Sequence, residues 1–320
     1  MPFIAPLSVT PEELDARAQA ALLCRRDLWA VSDESSRAAC DARNEVDGSA
    51  LCRVPAGITW VGDAGRGAPL GAKPIRRVTV PAFELQKGEV TVGQYARCAK
   101  AGACKPVDLA QTFCHMLLDA ADKDSLPMPC VSYADAVAYC HDAKMELPTD
   151  AQWTRAGRGD TAIAYAWGDA WSPAARPLRG NFGEKLATGY PDYSTVPDGT
   201  AWLADGYRGL AAPCRFPDGN SAFGVCDLAG NLAEWVHHDE RALDVARGGS
   251  WLDAEPGALR VGASIESSRS TSGTRASSIE CSAPPVAFTT RIVRSSWSSS
   301  SERRSRPAMG TCCSPAATSS

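Results

Sequence analysis

The chain has 320 residues, of which 44% are hydrophobic, so it can bury one sizeable core and is expected to hold one or two domains. A formal net charge of −4 provides no general positive field for phosphates, which excludes nucleic acid as a general partner. The longest apolar runs are interrupted by Arg, Asp or Gly well short of the roughly 20 residues that a membrane-spanning helix needs, so we expect no membrane span.

Thirteen cysteines are too many for a typical cytosolic enzyme and favour an extracytoplasmic or secreted location, although no signal peptide is visible at the start. None has the C-x-x-C spacing of a zinc knuckle or a thioredoxin-type redox site. Reduced, buried thiols are the alternative interpretation, and the sequence does not fix the connectivity. Three pairs are spaced like the ends of short loops, which suits disulfides: Cys98 with Cys104, Cys130 with Cys140, and Cys214 with Cys226.

Residues 1–53 are predicted to form a helical, cysteine-containing N-terminal segment. Thr10 and Glu13 make a capping box with Pro11 at the first helical position, and the helix can continue to about Trp29. The pattern changes near Arg53, where we expect a domain boundary. Residues 58–62 and 77–80 then alternate between apolar and polar side chains, as strands do.

Capping boxes predict three short helices, because each pairs an N-terminal hydroxyl with a polar side chain three residues later. We expect the first helix to stop at Gly102 and the third at Gly157. In the second helix Val137 and Cys140 are three residues apart, which places them on one face. The three boxes are Thr91 with Gln94, Ser132 with Asp135, and Thr149 with Gln152.

The second half of the chain is rich in turn-forming residues. Beyond Gly168, abundant Gly, Pro, Asp and Asn predict long ordered loops with brief strands. The serine- and arginine-rich sequence of residues 286–320 has few groups whose burial would offset the entropy of ordering, so we expect a disordered tail. A frameshifted or foreign C-terminus is an alternative explanation for this tail.

Five motifs resemble the formylglycine-generating (sulfatase-modifying factor) family and follow that family's order between about residues 54 and 269. The resemblance implies a family domain over residues 54–285, of α+β class. It further implies a loop-rich fold with short helices and strands, related to C-type lectins and held by calcium. The motifs are EVTVGQY at 89–95, VSYADA to LPTDAQW at 131–153, AWGD at 166–169, DLAGNLAEWV at 227–236 and RGGSW at 247–251.

The family pattern places calcium ligands at two sets of oxygen-bearing positions. Calcium takes carboxylate, amide and carbonyl oxygens, and both sets retain them. Considered without the family, the carboxylates among them would cap turns or lie on the surface. The first set is Asn181, the Phe182 carbonyl, Asp205 and the Tyr207 carbonyl; the second is Asp227, the Gly230 and Leu232 carbonyls, and Glu234.

The positions at which the family's oxidases hold copper(I) carry no cysteine in this chain. In the family, two cysteines five residues apart follow the GGS motif, because soft thiolates are the ligands that copper(I) prefers. Here those positions are Asp253 and Ala258, while Ser250 of the active site is retained. Copper is therefore not expected. Residues 279–285 also lack the family's closing GFR strand, which predicts a weakened core.

Three functions fit this pattern. The first is a pseudoenzyme: a calcium-stabilised module without oxidase activity that binds a protein, peptide or glycan partner. Trp171, Trp202 and Trp251 are its candidate contact residues. The second is an enzyme, either a formylglycine-generating oxidase that acts in sulfatase maturation or one with a different metal chemistry. The third is a degenerate coding sequence that retains no activity.

Overall fold

A computed structural model provides the structure of the chain. The helix expected up to Trp29 and the candidate contact residue Trp202 lie outside the residues that it describes. The described residues are 40–63, 74–107, 122–171, 179–183, 205–207, 209–237, 243–268, 288–289, 291 and 293–294.

Short strands form three small sheets. One sheet has the strand order β1-β2-β5-β10, a second pairs β3 with β4, and a third has the order β8-β7-β6-β9. All pairs are antiparallel except β6 with β9. The strands are β1 (Ala42–Arg43), β2 (Ala50–Val54), β3 (Gly57–Val61), β4 (Arg76–Val80), β5 (Phe83–Gln86), β6 (Ala233–Val236), β7 (Leu243–Arg247), β8 (Ile265–Ser268), β9 (Phe288–Thr289) and β10 (Val293–Arg294).

All three capping boxes open helices, because each hydroxyl accepts a backbone N–H and each partner side chain accepts the N–H of the cap. The third helix ends one residue later than expected, since Gly159 takes a positive φ of 60° while Gly157 packs inside the helix against Val261. The helices are α1 (Val92–Lys100), α2 (Tyr133–Asp142) and α3 (Asp150–Arg158).

The buried face of α2 differs from the predicted one. Ala136, Tyr139 and Cys140 are buried in the core, whereas Val137 is 43% exposed. A spacing of three residues predicted that Val137 and Cys140 share the buried face. In the structure the buried face is instead centred on Ala136, Tyr139 and Cys140. Tyr139 stacks there on Tyr95, with ring centroids 5.8 Å apart.

Two segments that the sequence set apart belong to the folded core. Strand β2 runs through Arg53 and pairs with β5 over four residues, so the fold already includes the chain before the expected boundary. Beyond residue 285, Arg291 and Val293 are almost wholly buried, although disorder was expected there. Long-range pairing of β9 with β6 and of β10 with β5 orders these short strands.

Disulfides brace the loops in two of the three expected places. Cys98 bonds to Cys104 and Cys214 to Cys226, as the spacing predicted, and Cys40 bonds to Cys52. The expected pair of Cys130 with Cys140 does not form. Cys130 is disulfide-bonded, but α2 directs the Cys140 thiol into the core, outside any disulfide.

The described elements make an α+β domain with short helices, short strands and long loops, as expected. Among the described residues, no helix has the length and apolar character needed to cross a membrane.

Candidate functional site

A tight turn after β7 contains the retained serine of the family motif. Gly248 and Gly249 both have positive φ, at 93° and 66°, which glycine adopts without steric cost. The Ser250 backbone N–H and hydroxyl then donate to the same carboxylate oxygen, Oδ2 of Asp253, at 2.7 and 2.9 Å. The Asp253 carboxylate therefore serves as the acceptor that closes the turn.

The second cysteine position of the family lies beside the same turn. A Cβ atom built on Gly249 would lie 3.1 Å from the Ala258 carbonyl oxygen and 3.3 Å from Asp253 Oδ2. The fold thus brings Asp253 and Ala258 to one place. Neither side chain offers sulfur, so this place lacks the soft ligands that copper(I) prefers.

The thiols elsewhere in the described residues do not replace the missing pair. Cys140 is the one cysteine of that part outside a disulfide, and it is 1% exposed within the hydrophobic core. A buried thiol among apolar side chains packs as a small hydrophobe.

In the first predicted calcium set, the backbones of Phe182 and Tyr207 both contact the Asp205 carboxylate. The Phe182 N–H donates to Asp205 Oδ2 at 3.3 Å, and the Tyr207 N–H donates to Asp205 Oδ1 at 2.9 Å. Asn181, next in the chain, is 2% exposed. A carboxylate has about four acceptor positions, so two backbone N–H groups leave capacity for a metal ion. The predicted ligand atoms of this set are all hard oxygens, the kind that calcium prefers.

The second predicted calcium set does not fit, because an arginine occupies its carboxylate. Arg291 and Glu234 are each 0% exposed, and the guanidinium binds both Glu234 oxygens, with Nε donating to Oε2 at 2.7 Å. The Trp153 indole N–H also donates to Oε2, at 2.8 Å. A calcium ion at Glu234 would compete for these lone pairs and repel the guanidinium. The Glu234 carboxylate is thus a core ion-pair partner rather than a surface charge.

Arg291 lies among three buried carboxyl groups. Burial raises the pKa of Asp227 to about 6, with a smaller contribution from Glu234, against the opposing effects of the Cys214 N–H and Arg291. Burial, Asp227 and Glu234 likewise raise the pKa of Glu89 well above its ordinary value. Burial alone would lower the pKa of Arg291, but the carboxylates outweigh it and raise that pKa. The guanidinium therefore supplies the internal counter-charge of this cluster.

Backbone carbonyls complete the environment of Arg291. Its guanidinium donates to the carbonyls of Gln86 and Lys87 at 2.7 Å each, and to that of Cys226 at 2.8 Å. Glu89, another carboxyl group of this cluster, accepts the Leu232 N–H at 3.1 Å. Arg291 thus links β5, β6 and the Cys226 loop, while residues 279–285, where a closing strand was expected to be missing, lie outside the described residues.

The sequence interpretation missed both Arg291 and Glu89 as members of this cluster. Glu89 is the first residue of the EVTVGQY motif. The motif marked this position as part of the family pattern but did not indicate that the carboxyl group is buried beside Arg291. Arg291 stands in a serine- and arginine-rich segment and carries no local signal.

Of the tryptophans proposed for a contact surface, Trp171 is half-buried and Trp251 is buried in the core at 6% exposure. Trp251 is therefore not a surface contact. Trp171 belongs to an aromatic group with Tyr165, Trp167 and Phe182, whose neighbouring ring centroids lie 5.0 to 6.4 Å apart. Phe182 joins this group to the first calcium set.

Comparison with known structures identifies the class of the fold. The structure of PvdO from Pseudomonas aeruginosa matches with a TM-score of 0.55, covering 79% of this chain and 97% of that chain at 19% sequence identity. At this identity the match shows the fold alone. The two chains share a loop-rich α+β fold.

The chain belongs to the family described as "Sulfatase-modifying factor enzyme 1-like domain", which matches residues 36–279. The formylglycine-generating enzyme of Mycobacterium tuberculosis (strain ATCC 25618 / H37Rv) is 36% identical over 118 residues, covering 37% of this chain and 35% of that protein. The "Inactive C-alpha-formylglycine-generating enzyme 2" of Bos taurus is 33% identical over 144 residues, covering 42% of each. The matched region thus spans about a third to two fifths of these relatives' length.

Proposed function

We propose that this family member lacks oxidase activity and acts as a calcium-stabilised binding or accessory module. The observation that carries the proposal is the turn at Ser250, where Asp253 accepts two hydrogen bonds at a position that holds a cysteine in the oxidases. A side chain engaged in closing a turn is not free to bind a soft cation, and Ala258 supplies no ligand.

The relatives include proteins of both kinds. One carries the word "Inactive" in its name and covers 42% of this chain, whereas the formylglycine-generating enzyme of Streptomyces coelicolor covers 57% of it. Retention of a scaffold without its metal ligands is compatible with a binding role, because function depends on sites rather than on folds.

The aromatic group near the first calcium set is the favoured contact surface. Trp167 and Trp171 are both half-buried, and the Arg179 guanidinium lies 5.7 Å from the Trp167 ring centroid. Flat aromatic faces beside a cation suit the side chains of a peptide or the rings of a glycan. Calcium at Asp205 would hold Phe182, and through it this group, in place.

The oxidase proposal is tested by incubating the full chain with copper(I), oxygen and a peptide that carries the sulfatase cysteine motif. Mass spectrometry then reports conversion of that cysteine to formylglycine. A known formylglycine-generating enzyme run in parallel verifies the reagents. We expect conversion by the control enzyme and none by this chain, and turnover by this chain would refute the proposal.

The binding role needs a separate test. A pull-down with calcium compares the unaltered chain with the Trp171→Ala variant, and a Val137→Ala variant serves as a control because Val137 is exposed on the distinct helix α2. We expect a partner retained by the unaltered chain and the control and lost by Trp171→Ala. Recovery of no specific partner, or equal recovery by all three, would contradict the binding role.

Oxidase activity is the alternative function. It is favoured by the retained Ser250 and by the similarity to proteins named formylglycine-generating enzymes. It requires sulfur ligands that the described residues do not bring to the turn.

A further inference from the structure

Cys214, Cys226 and Asp227 bring two sulfur atoms and one carboxylate oxygen within 4.8 Å of one another. Within the described ranges, this is the one group of three His, Cys, Asp or Glu side chains placed closely enough to share a metal ion. From the sequence, the two cysteines were expected to form a structural disulfide and Asp227 to bind calcium. The occupation of Glu234 by Arg291 removes the main partner of Asp227 in that calcium set.

We propose that reduction of the Cys214–Cys226 disulfide creates a zinc(II) site formed by these two thiolates and the Asp227 carboxylate. Zinc accepts both thiolate and carboxylate ligands, whereas calcium avoids sulfur and copper(I) avoids hard oxygen. The proposal does not depend on the proposed function, because these residues lie outside the Ser250 turn.

The chemistry balances with a dithiol reductant. The reductant supplies two electrons and two protons, its own thiols form a disulfide, and the Sγ–Sγ bond of Cys214 and Cys226 breaks to give two thiols. Zinc then displaces the two thiol protons, which pass to water. With Zn–S bonds of about 2.3 Å, tetrahedral coordination places the two sulfurs about 3.8 Å apart, so the backbone needs little movement.

Gly88 lies beside the two sulfur atoms and has no side chain that would fill the space next to them. A Cβ atom on Gly88 would lie 3.1 Å from Cys214 Sγ and 3.6 Å from Cys226 Sγ, so a larger residue there would crowd them. The Lys87 carbonyl oxygen lies 3.1 Å from Cys226 Sγ. That oxygen already accepts the Cys226 N–H at 3.0 Å and an Arg291 N–H at 2.7 Å, so it is a fixed wall beside the sulfurs and not a ligand.

Two further contacts hold the ligands in place. The Cys214 N–H donates to Asp227 Oδ2, which fixes the carboxylate beside the first sulfur. Arg291 donates to the carbonyls of Lys87 and Cys226, which fixes the two walls of the site. Cys226 is 0% exposed, but Cys214 is partly exposed, which gives a reductant access to the disulfide.

The test uses the full chain with Cys312→Ser and Cys313→Ser, which removes background binding by that adjacent pair. After reduction and removal of calcium, zinc affinity is measured by competition with a chromophoric chelator. Cobalt(II) then reports thiolate ligation through its charge-transfer absorption. Near-ultraviolet circular dichroism verifies that the reduced chain stays folded.

Three variants in the same background distinguish a site from general thiol binding. Cys214→Ser with Cys226→Ser removes both sulfurs. Asp227→Asn keeps both sulfurs and an acceptor for the Cys214 N–H, and asparagine tolerates the positive φ of 56° at this position. The matched control is Cys98→Ser with Cys104→Ser, which removes another buried loop disulfide.

We expect zinc binding with a thiolate charge-transfer band in the folded, reduced chain and in the Cys98/Cys104 control. Because changes outside the first coordination shell already cost about 10- to 100-fold in metal affinity, losing a direct ligand in Asp227→Asn should weaken zinc binding at least about 10-fold. The Cys214/Cys226 variant should lose the band. Unchanged affinity in Asp227→Asn, equal loss in the control, or zinc binding only after unfolding would overturn the proposal.

Discussion

The Ser250 N–H and hydroxyl both donate to Oδ2 of Asp253, at 2.7 and 2.9 Å. The four residues from Ser250 to Asp253 thus form a hydrogen-bonded turn after β7. In the oxidase members that the sequence resembles, a metal-binding cysteine stands at the aspartate position. The aspartate here accepts both hydrogen bonds and so closes the turn.

The Asp253→Ala substitution tests this structural role. It leaves the Ser250 donors without their acceptor in a turn where Ser250 is 2% exposed, and we expect a loss of about 1–3 kcal/mol in the free energy of unfolding. Denaturant titration measures it. Asp218→Ala, which alters an exposed aspartate, is the control and should change stability by less than about 0.5 kcal/mol. Equal small changes in both would show that the turn does not need Asp253.

Restoring the two thiols should restore copper(I) binding. Asp253 and Ala258 both lie beside Gly249, so the Asp253→Cys, Ala258→Cys double variant places two sulfurs near one point. We expect it to bind one more equivalent of copper(I) than the unaltered chain, measured by competition with a chromophoric chelator under reducing conditions. The Asp253→Ser, Ala258→Ser variant controls for the loss of the turn. No extra copper in the cysteine variant would show that the two positions do not converge as described.

Calcium removal should destabilise the chain through the first set of ligands alone. Asp205 contacts the backbones of Phe182 and Tyr207, so Asp205→Asn is expected to weaken calcium binding at least about 10-fold in calorimetry. Asp227→Asn should leave calcium affinity unchanged, because the second set does not fit the ion. A saturating excess of about 100 times Kd raises the free energy of unfolding by about 2.7 kcal/mol. Absence of calcium binding in the chelator-treated, unaltered chain would defeat this prediction.

Replacing Arg291 should destabilise the core. Arg291→Met leaves buried carboxylates without their counter-charge, and breaking a buried pair in this way costs about 3–5 kcal/mol. Asp41→Asn is the control, since the Asp41 side chain is 63% exposed and its ion pair with Arg53 contributes less than about 1 kcal/mol. Similar stability losses in the two variants, measured by denaturant titration, would contradict the assigned role of Arg291.

The destabilisation of Arg291→Met should also depend on pH. The pKa of Glu89 is raised by burial and by its carboxylate neighbours, and Arg291 opposes this shift. A carboxyl with a raised folded pKa favours folding below its unfolded pKa, and that contribution is lost as pH rises through the folded value. Removing Arg291 raises the folded pKa further, so the stability loss should be larger at about pH 7.5 than at about pH 5. A pH-independent loss would argue against a charge effect.

Local patterns predicted the helices well, because a capping box satisfies its own backbone groups. Thr91, Ser132 and Thr149 each begin a helix at the expected residue. The strands β3 and β4 also follow from alternation of apolar and polar residues. These signals need no knowledge of distant partners, and the family motifs extended them to the fold class.

Features that depend on distant contacts were not predictable in this way. Arg291 becomes a core residue through partners distant in the chain, such as Glu234, 57 positions earlier, so composition suggested disorder instead. The spacing of Cys130 and Cys140 suited a disulfide, but the rotation of α2 buries the Cys140 thiol in the core. The place of Trp251 in the core likewise follows from tertiary packing and not from its neighbours in sequence.

The central claim, that this chain performs no oxidation of a cysteine, is tested most directly by mass spectrometry of the product peptide. The full chain, loaded with copper(I) and supplied with oxygen and reductant, is incubated with the sulfatase-motif peptide at an enzyme concentration equal to that of the peptide. Under these single-turnover conditions even a slow reaction becomes visible. We predict that the peptide keeps its cysteine throughout, and the appearance of a formylglycine aldehyde would contradict the account.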